Sequence, residues 1–168
     1  MSEKIQKTFL TLSITIAVLS LAASAGGLLL EGLYRDNAFV SAVWKGNDVI
    51  TLALTVPVLA VSIWLARKGS LRAKLIWLGM LNFTFYNFAF YLFAAAFNWF
   101  FLLYTALFTL SIFALIFGLL GLDPQDIRDH FTDQTPRKWI AGYMIFVALG
   151  LTLIEGMQIA GFIFTDQL

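Results

Sequence analysis

The fold is decided by residues 75–122, LIWLGMLNFTFYNFAFYLFAAAFNWFFLLYTALFTLSIFALIFGLLGL, which contain no charged side chain. A helix crosses a hydrocarbon layer about 30 Å thick with about 20 apolar residues, so this run is roughly twice as long as one span. Asn98 and Trp99 stand near its middle and predict a very tight turn between two spans. The same criterion, applied outward from here, predicts five spans at about 8–30, 49–66, 75–97, 99–122 and 139–164.

Composition supports a membrane protein throughout its length. Hydrophobic residues make up 60% of the 168 residues and charged residues 12%, against about 45–50% and about 25% in soluble domains. We therefore predict an all-α, polytopic transmembrane helical bundle that forms a single domain over residues 1–168. The net charge of +1 gives no indication of nucleic acid binding. The absence of cysteine excludes disulfides, Cys-ligated zinc and iron–sulfur clusters, and we predict no cofactor and no metal site.

Lys and Arg in the short flanks predict the orientation, because these residues are retained on the cytoplasmic side. They precede the first span and fill the second and fourth loops, whereas the first loop is mixed in charge and the third has none. We therefore expect the N-terminus inside and the C-terminus outside. An alternative interpretation takes the first span, with Ala23-Ser24-Ala25, as a signal peptide and its cleavage site. We prefer small-residue helix packing at Ala22/Gly26 and Ala23/Gly27.

Two connecting segments carry structure of their own. Residues 31–48 are too apolar for a free loop and predict an outer segment that lies at the membrane interface. In the cytoplasmic loop 123–138, Asp123 and Pro124 predict the start of a short helix. Within the second span Pro57 predicts a kink, because proline removes a backbone hydrogen bond.

Polar residues within the spans are the candidate functional groups, because ionisable side chains in a membrane are costly and usually face the bundle interior. Glu155 lies in the fifth span, with Gln158 on the same face. In the third span Asn87, Tyr91 and Asn98 share one face with Thr84, so this stripe should point inward. The alternatives are that Glu155 reaches the membrane interface and that the Asn87 face forms ordinary contacts between helices.

The predicted topology brings several of these groups to the outer half of the bilayer. Glu31 ends the first span, Asp48 starts the second, Asn98 closes the third and Glu155 lies in the fifth. We expect an acidic ligand-binding pocket there, covered by Tyr34, Arg35 and Trp44 of the first loop. Asp48 also has a purely structural interpretation, as the N-cap of the second helix.

Several segments resemble a family of uncharacterised bacterial multi-pass integral membrane proteins. They are Glu31–Asp36 (EGLYRD), Lys45–Leu52 (KGNDVITL), Arg67–Lys74 (RKGSLRAK) and Ala94–Asn98 (AAAFN). The resemblance covers residues 27–137 and implies a location in the bacterial cytoplasmic membrane, without implying an activity. Similar proteins usually continue with further hydrophobic segments, so we expect either a short member or a chain that ends early.

The sequence favours a non-enzymatic membrane protein that binds a small ligand, cation or lipid in an outward-facing polar cavity, as a transport or sensing component. One alternative is a membrane-embedded assembly subunit whose polar stripes bind partner helices. A second is an intramembrane lipid-modifying enzyme that uses Asp48 and Glu155 as acid and base. No residue is predicted to be catalytic on the pattern alone.

Overall fold

The computed structural model describes residues 3–130 and 136–165, and every regular element within them is a helix. The helices are α1 (Glu3–Leu29), α2 (Ala38–Ile50), a π-helical turn (Thr51–Thr55), α3 (Val56–Arg67), α4 (Leu71–Phe93), α5 (Phe101–Leu120), α6 (Pro124–Asp129) and α7 (Arg137–Thr165). Five stretches are long and apolar enough to cross a membrane: Glu3–Leu29, Ala38–Arg67, Leu71–Phe93, Phe101–Leu120 and Arg137–Gly161. The prediction of an all-helical chain with five such helices is confirmed.

The second span begins much earlier than the sequence predicts. Asn37 is its N-cap, and its side-chain oxygen accepts a hydrogen bond of 2.9 Å from the Val40 amide. In the predicted interfacial segment 31–48, residues from Ala38 onward are helical and continue into the second span. The N-cap interpretation of Asp48 is also wrong, because Asp48 lies near the end of α2, well inside the span.

The predicted irregularity at Pro57 takes the form of the π-helical turn just before it. Proline has no amide hydrogen, so the carbonyl of Ala53 lacks its usual helical partner. The chain widens here, and the Val56 amide bonds to the carbonyl of Thr51, five residues back. A π-helical turn thus lets one continuous helix pass a proline inside the span.

The chain divides into two compact units, Met1–Asp123 and Pro124–Leu168. In the first unit α1, the second span, α4 and α5 pack around a core that includes Phe9, Ile16, Leu81 and Leu107. Such packing is how helices associate in lipid, where small residues permit close approach.

The loops of the first unit meet at two opposite ends. At one end the carboxylate of Asp36, in the loop 30–37, accepts a hydrogen bond from the Ala96 amide in the connection 94–100. We call this the Asp36 end. At the other end the Lys74 ammonium donates to the carbonyl of Gly121 at a distance of 2.5 Å. We call it the Lys74 end.

The second unit consists of α6 and α7. Helix α6 begins at Pro124, as the sequence predicts. Helix α7 is the fifth apolar helix, and none of its described side chains is buried. In a bilayer such a helix presents its apolar side chains to lipid or to other helices.

Candidate functional site: a buried carboxylate among hydroxyl groups

Asp48 is the one acidic residue among the buried residues that the structure describes, and it is 2% exposed. Its Oδ2 accepts a hydrogen bond of 2.5 Å from the Tyr34 hydroxyl. The Tyr91 hydroxyl of α4 lies 3.1 Å from Oδ1 and 2.9 Å from the carbonyl oxygen of Trp44. Both carboxyl oxygens are therefore engaged by phenols from two other parts of the chain.

Helix α1 closes the other side of the carboxyl group. The Ser24 hydroxyl faces Asp48 and can donate to it. Three residues later, Gly27 brings the backbone of α1 so close that a Cβ atom there would lie 2.7 Å from Asp48 Cγ and would overlap Oδ2. Only glycine permits this approach without displacing the carboxyl group.

Tyr34 lies in the loop 30–37, outside the spans, and is buried against this cluster. Burial, the nearby Tyr91 phenol and the hydrogen bond to Asp48 raise the pKa of Tyr34 well above its usual range. The phenol therefore keeps its hydrogen at physiological pH. It acts as a permanent hydrogen-bond donor to Oδ2 of Asp48.

The tyrosine rings extend the cluster into α5. The centroid of the Tyr91 ring lies 5.0 Å from that of the Tyr104 ring and 5.0 Å from that of the Trp44 ring. Tyr104 is 1% exposed, and its hydroxyl makes no hydrogen bond of standard geometry within the described part of the chain. These aromatic contacts hold the phenols in place around the carboxyl group.

A second carboxylate, Asp36, ties the loop 30–37 over the cluster. Its Oδ2 accepts a hydrogen bond of 3.1 Å from the Trp44 indole, and its Oδ1 accepts one of 3.1 Å from the Ala96 amide. Asp36 is itself partly exposed, whereas Trp44 is buried. The loop that carries Tyr34 is thus fastened to both α2 and the connection after α4.

The structure brings together some of the sequence-predicted site residues. One contiguous cluster contains Tyr34, Trp44, Asp48 and Tyr91. Asn87 is buried on the same face of α4, one turn before Tyr91. The inward orientation predicted for this stripe is therefore observed for Asn87 and Tyr91.

Asn98 has a different position from the one its periodicity predicts. Helix α4 ends at Phe93, so Asn98 belongs to the connection rather than to the helical stripe. It is 4% exposed, and its side-chain oxygen accepts a hydrogen bond of 2.9 Å from the Phe100 amide, at the start of α5. This bond stabilises the turn between the third and fourth spans.

The remaining predicted site residues are Glu31, Arg35, Glu155 and Gln158. Glu31 and Arg35 lie in the loop 30–37, and both side chains are exposed. Glu155 lies on α7 in the second unit, and its side chain is exposed. The side chain of Gln158 lies outside the described residues.

Sequence reasoning missed Ser24, Asp36 and Tyr104 as members of this region. Ser24 and Gly27 stand in the small-residue run of α1, where packing alone explains them. Tyr104 follows Asn98 by six residues in an apolar helix. A search for hydroxyl groups facing the predicted polar stripe would have found Ser24 and Tyr104, whereas the partners of Asp36 depend on tertiary contacts.

Chemically, the cluster offers one carboxyl group and several neutral hydroxyl groups in a membrane-embedded setting. In the residues that the structure describes, no group of three or more His, Cys, Asp or Glu side chains could hold a metal ion. No protein-family model matches the chain, and neither a curated protein nor a solved structure matches it. The function must therefore be inferred from the geometry around Asp48.

Proposed function

We propose that this chain is a non-enzymatic integral membrane protein that binds a small ligand, ion or lipid at the Asp48 cluster, as a transport or sensing component. The observation that carries the proposal is a carboxyl group that is buried within a candidate membrane span and faces, among the residues that the structure describes, neutral hydroxyl donors. Ionisable residues in such positions are costly, and they commonly mark binding sites or ion pathways.

The surroundings of Asp48 support a site that opens and closes. Asp48 is enclosed, and Tyr34 of the loop 30–37 packs against it, so movement of this loop would expose the carboxyl group. That loop contains Gly32, whose φ of +75° is a left-handed conformation that glycine adopts easily. The π-helical turn begins three residues after Asp48, and such turns occur frequently at functional sites.

We place the Asp36 end on the outer side of a bacterial cytoplasmic membrane, with the N-terminus inside. Basic residues at the start of α1, at the end of α3, at the start of α4 and between these two helices support this orientation, because Lys and Arg are retained in the cytoplasm. They are Lys4, Lys7, Arg67, Lys68, Arg72 and Lys74. The resemblance to bacterial multi-pass proteins supports the choice of membrane. Cysteine accessibility scanning with a membrane-impermeant reagent tests the orientation, since a cysteine replacing Glu31 should be labelled from outside.

Thermal-shift screening of purified protein against ions, lipids and metabolites tests the binding function. A ligand present at 100 times its Kd raises the free energy of unfolding by about 2.7 kcal/mol. We expect at least one component to stabilise the wild type and the Glu31→Gln variant, but not Asp48→Asn. Glu31→Gln is the matched control, because it removes an exposed carboxylate near the same loop.

The proposal fails if no component stabilises the wild type, or if every stabilising component acts equally on Asp48→Asn. A Glu155→Gln variant, screened in parallel, shows whether α7 contributes to binding. An unchanged ligand response in that variant would confine the site to the first unit.

An assembly subunit is the second candidate, and the observation that favours it is the exposure of α7. Its large apolar side chains, such as Leu149, Leu153 and Ile154, are exposed along the described helix. Apolar helices of this kind pack against partner helices as readily as against lipid. Copurification after mild solubilisation distinguishes the two functions, since a stoichiometric partner would support a subunit.

A further inference from the structure

The Asp48 cluster contains an acidic group without a positive partner. Within the described residues, no Lys, Arg or His forms an ion pair with Asp48. The groups that face it are Ser24 from α1, Tyr34 from the loop and Tyr91 from α4, and none of them carries a positive charge. An isolated carboxylate in a low-dielectric interior is strongly disfavoured, so its charge must be compensated by a bound cation or by a hydrogen.

We infer that the ligand of this site is a proton, which Asp48 binds and releases within the Tyr34–Tyr91 cluster. This inference rests on the proposed binding function and specifies its ligand. Protonation converts the carboxylate into a neutral carboxylic acid: an O–H bond of hydronium from the solvent breaks as one O–H bond forms at Oδ1, and on release the proton returns to water. No oxidant, reductant or second substrate takes part.

The available space favours a proton over a metal ion. Metal ions such as Ca²⁺ or Mg²⁺ need about six or more oxygen ligands at roughly 2.0–2.6 Å. Around Asp48 the Tyr34 hydroxyl is only 2.5 Å from Oδ2, a distance occupied by the hydroxyl hydrogen, and the Gly27 backbone packs against the same oxygen. A proton adds no volume to this close packing.

The hydrogen bonds of Tyr91 accommodate both protonation states. Its hydroxyl has a single hydrogen, and two acceptors lie within reach, the Trp44 carbonyl at 2.9 Å and Asp48 Oδ1 at 3.1 Å. When Asp48 is protonated, Oδ1–H can donate to Tyr91, and Tyr91 can donate to the Trp44 carbonyl. When Asp48 is ionised, the Tyr91 hydroxyl can turn its hydrogen toward Oδ1.

The change of state therefore requires only the rotation of a hydroxyl group, a fast motion compared with helix movement. Tyr34 donates to Oδ2 in both states, because its phenol stays protonated. Tyr104 adds another buried hydroxyl next to Tyr91 that can join the network as it rearranges. No other described titratable group from the packed elements faces Asp48.

Infrared difference spectroscopy between about pH 5.5, at which exposed Asp and Glu with pKa values near 4 are already ionised, and alkaline pH tests this inference on purified protein in lipid. We expect the wild type to show a carboxylic-acid carbonyl band that disappears on alkalinisation and shifts in heavy water. Asp48→Asn should lose this band completely, whereas Glu31→Gln should keep it. Tyr91→Phe retains the carboxyl group and removes its hydrogen-bond partner, so the band should remain but change frequency. That variant keeps the test valid even if Asp48→Asn does not fold.

The inference is overturned if the wild type shows no such band, if Asp48→Asn keeps it, or if Tyr91→Phe leaves its frequency unchanged. The Tm measured in sodium, potassium or choline chloride at constant pH distinguishes failure of the proton inference from failure of the proposed binding function. Stabilisation by sodium or potassium that depends on Asp48 would replace the proton by a metal cation and preserve the binding site. No dependence on Asp48 for protons, ions or any screened component would refute both proposals.

Discussion

Replacement of Gly27 by alanine is the most direct test of the packing around Asp48. Gly27 lies within α1, in ordinary helical conformation, where alanine is normally favoured over glycine by about 1 kcal/mol. In this structure the added Cβ would overlap Asp48 Oδ2 and the Tyr34 hydroxyl and would lie 2.7 Å from Asp48 Cγ. The carboxyl group cannot retreat freely, because Tyr34 and Tyr91 hold both of its oxygens.

The expected magnitude follows from the contacts that must break. Losing a hydrogen bond to a charged or strongly polar group costs about 1.5–3 kcal/mol, and overpacking a tight contact costs about 1–3 kcal/mol. After the gain in helix propensity, we expect Gly27→Ala to lower the free energy of unfolding by roughly 2–5 kcal/mol. The loss would be large for a single methyl group added to a helix.

Gly46→Ala is the matched control, because Gly46 lies in α2 and nothing lies within 4 Å of a Cβ added there. This variant should be as stable as the wild type or up to about 1 kcal/mol more stable. Reversible denaturation in mixed micelles, followed by circular dichroism, compares the two variants under the same conditions. The reasoning is refuted if Gly27→Ala proves as stable as Gly46→Ala, since α1 would then not approach Asp48 as described.

Three further predictions concern other contacts. Asp36→Ala should destabilise the protein by about 1.5–3 kcal/mol and speed hydrogen exchange of the Ala96 amide, and unchanged exchange would contradict the loop attachment. Because the pKa of Tyr34 is raised on folding, its contribution to stability is present below about pH 10 and lost at higher pH as the unfolded phenol ionises. The Tm of Tyr34→Phe should therefore fall less above pH 10 than the Tm of the wild type. An equal fall in both proteins would contradict the contribution of Tyr34. Ser13→Ala leaves the Trp77 indole without the acceptor that lies 2.9 Å away, and it should lower the free energy of unfolding by about 1–3 kcal/mol. Thr15→Ala is the control, because Thr15 is exposed and its replacement should not have this cost.

The spans could be predicted from sequence because hydrocarbon imposes a simple length requirement on apolar helices. The start of the second span could not, because Lys45, Asn47 and Asp48 lower the local hydropathy. In the structure these residues stand on different faces, with Lys45 exposed and Asp48 buried. A polar interruption therefore did not end the helix, since its most costly group found partners inside.

The candidate site could be predicted only where helical periodicity determines direction. Asn87 and Tyr91 point inward because they repeat every turn along α4, and this pattern is visible in the sequence. The bond between Asp36 and the Ala96 amide joins two loops that lie far apart in the chain. Local pattern carries no information on such a contact, which depends on how the helices pack.

The π-helical turn has a consequence for how the second span could have arisen and how it can be altered. A π-helical turn holds one residue more than the surrounding helix, which is what a single inserted codon would produce. The five-residue step from Thr51 to Val56 turns the chain about as far as a four-residue step of an α-helix. Removing one residue between Thr51 and Thr55 would therefore let the α-helix close with Asp48 still facing Tyr91. The wide turn thus accommodates an extra residue without turning the buried acid away from its partners.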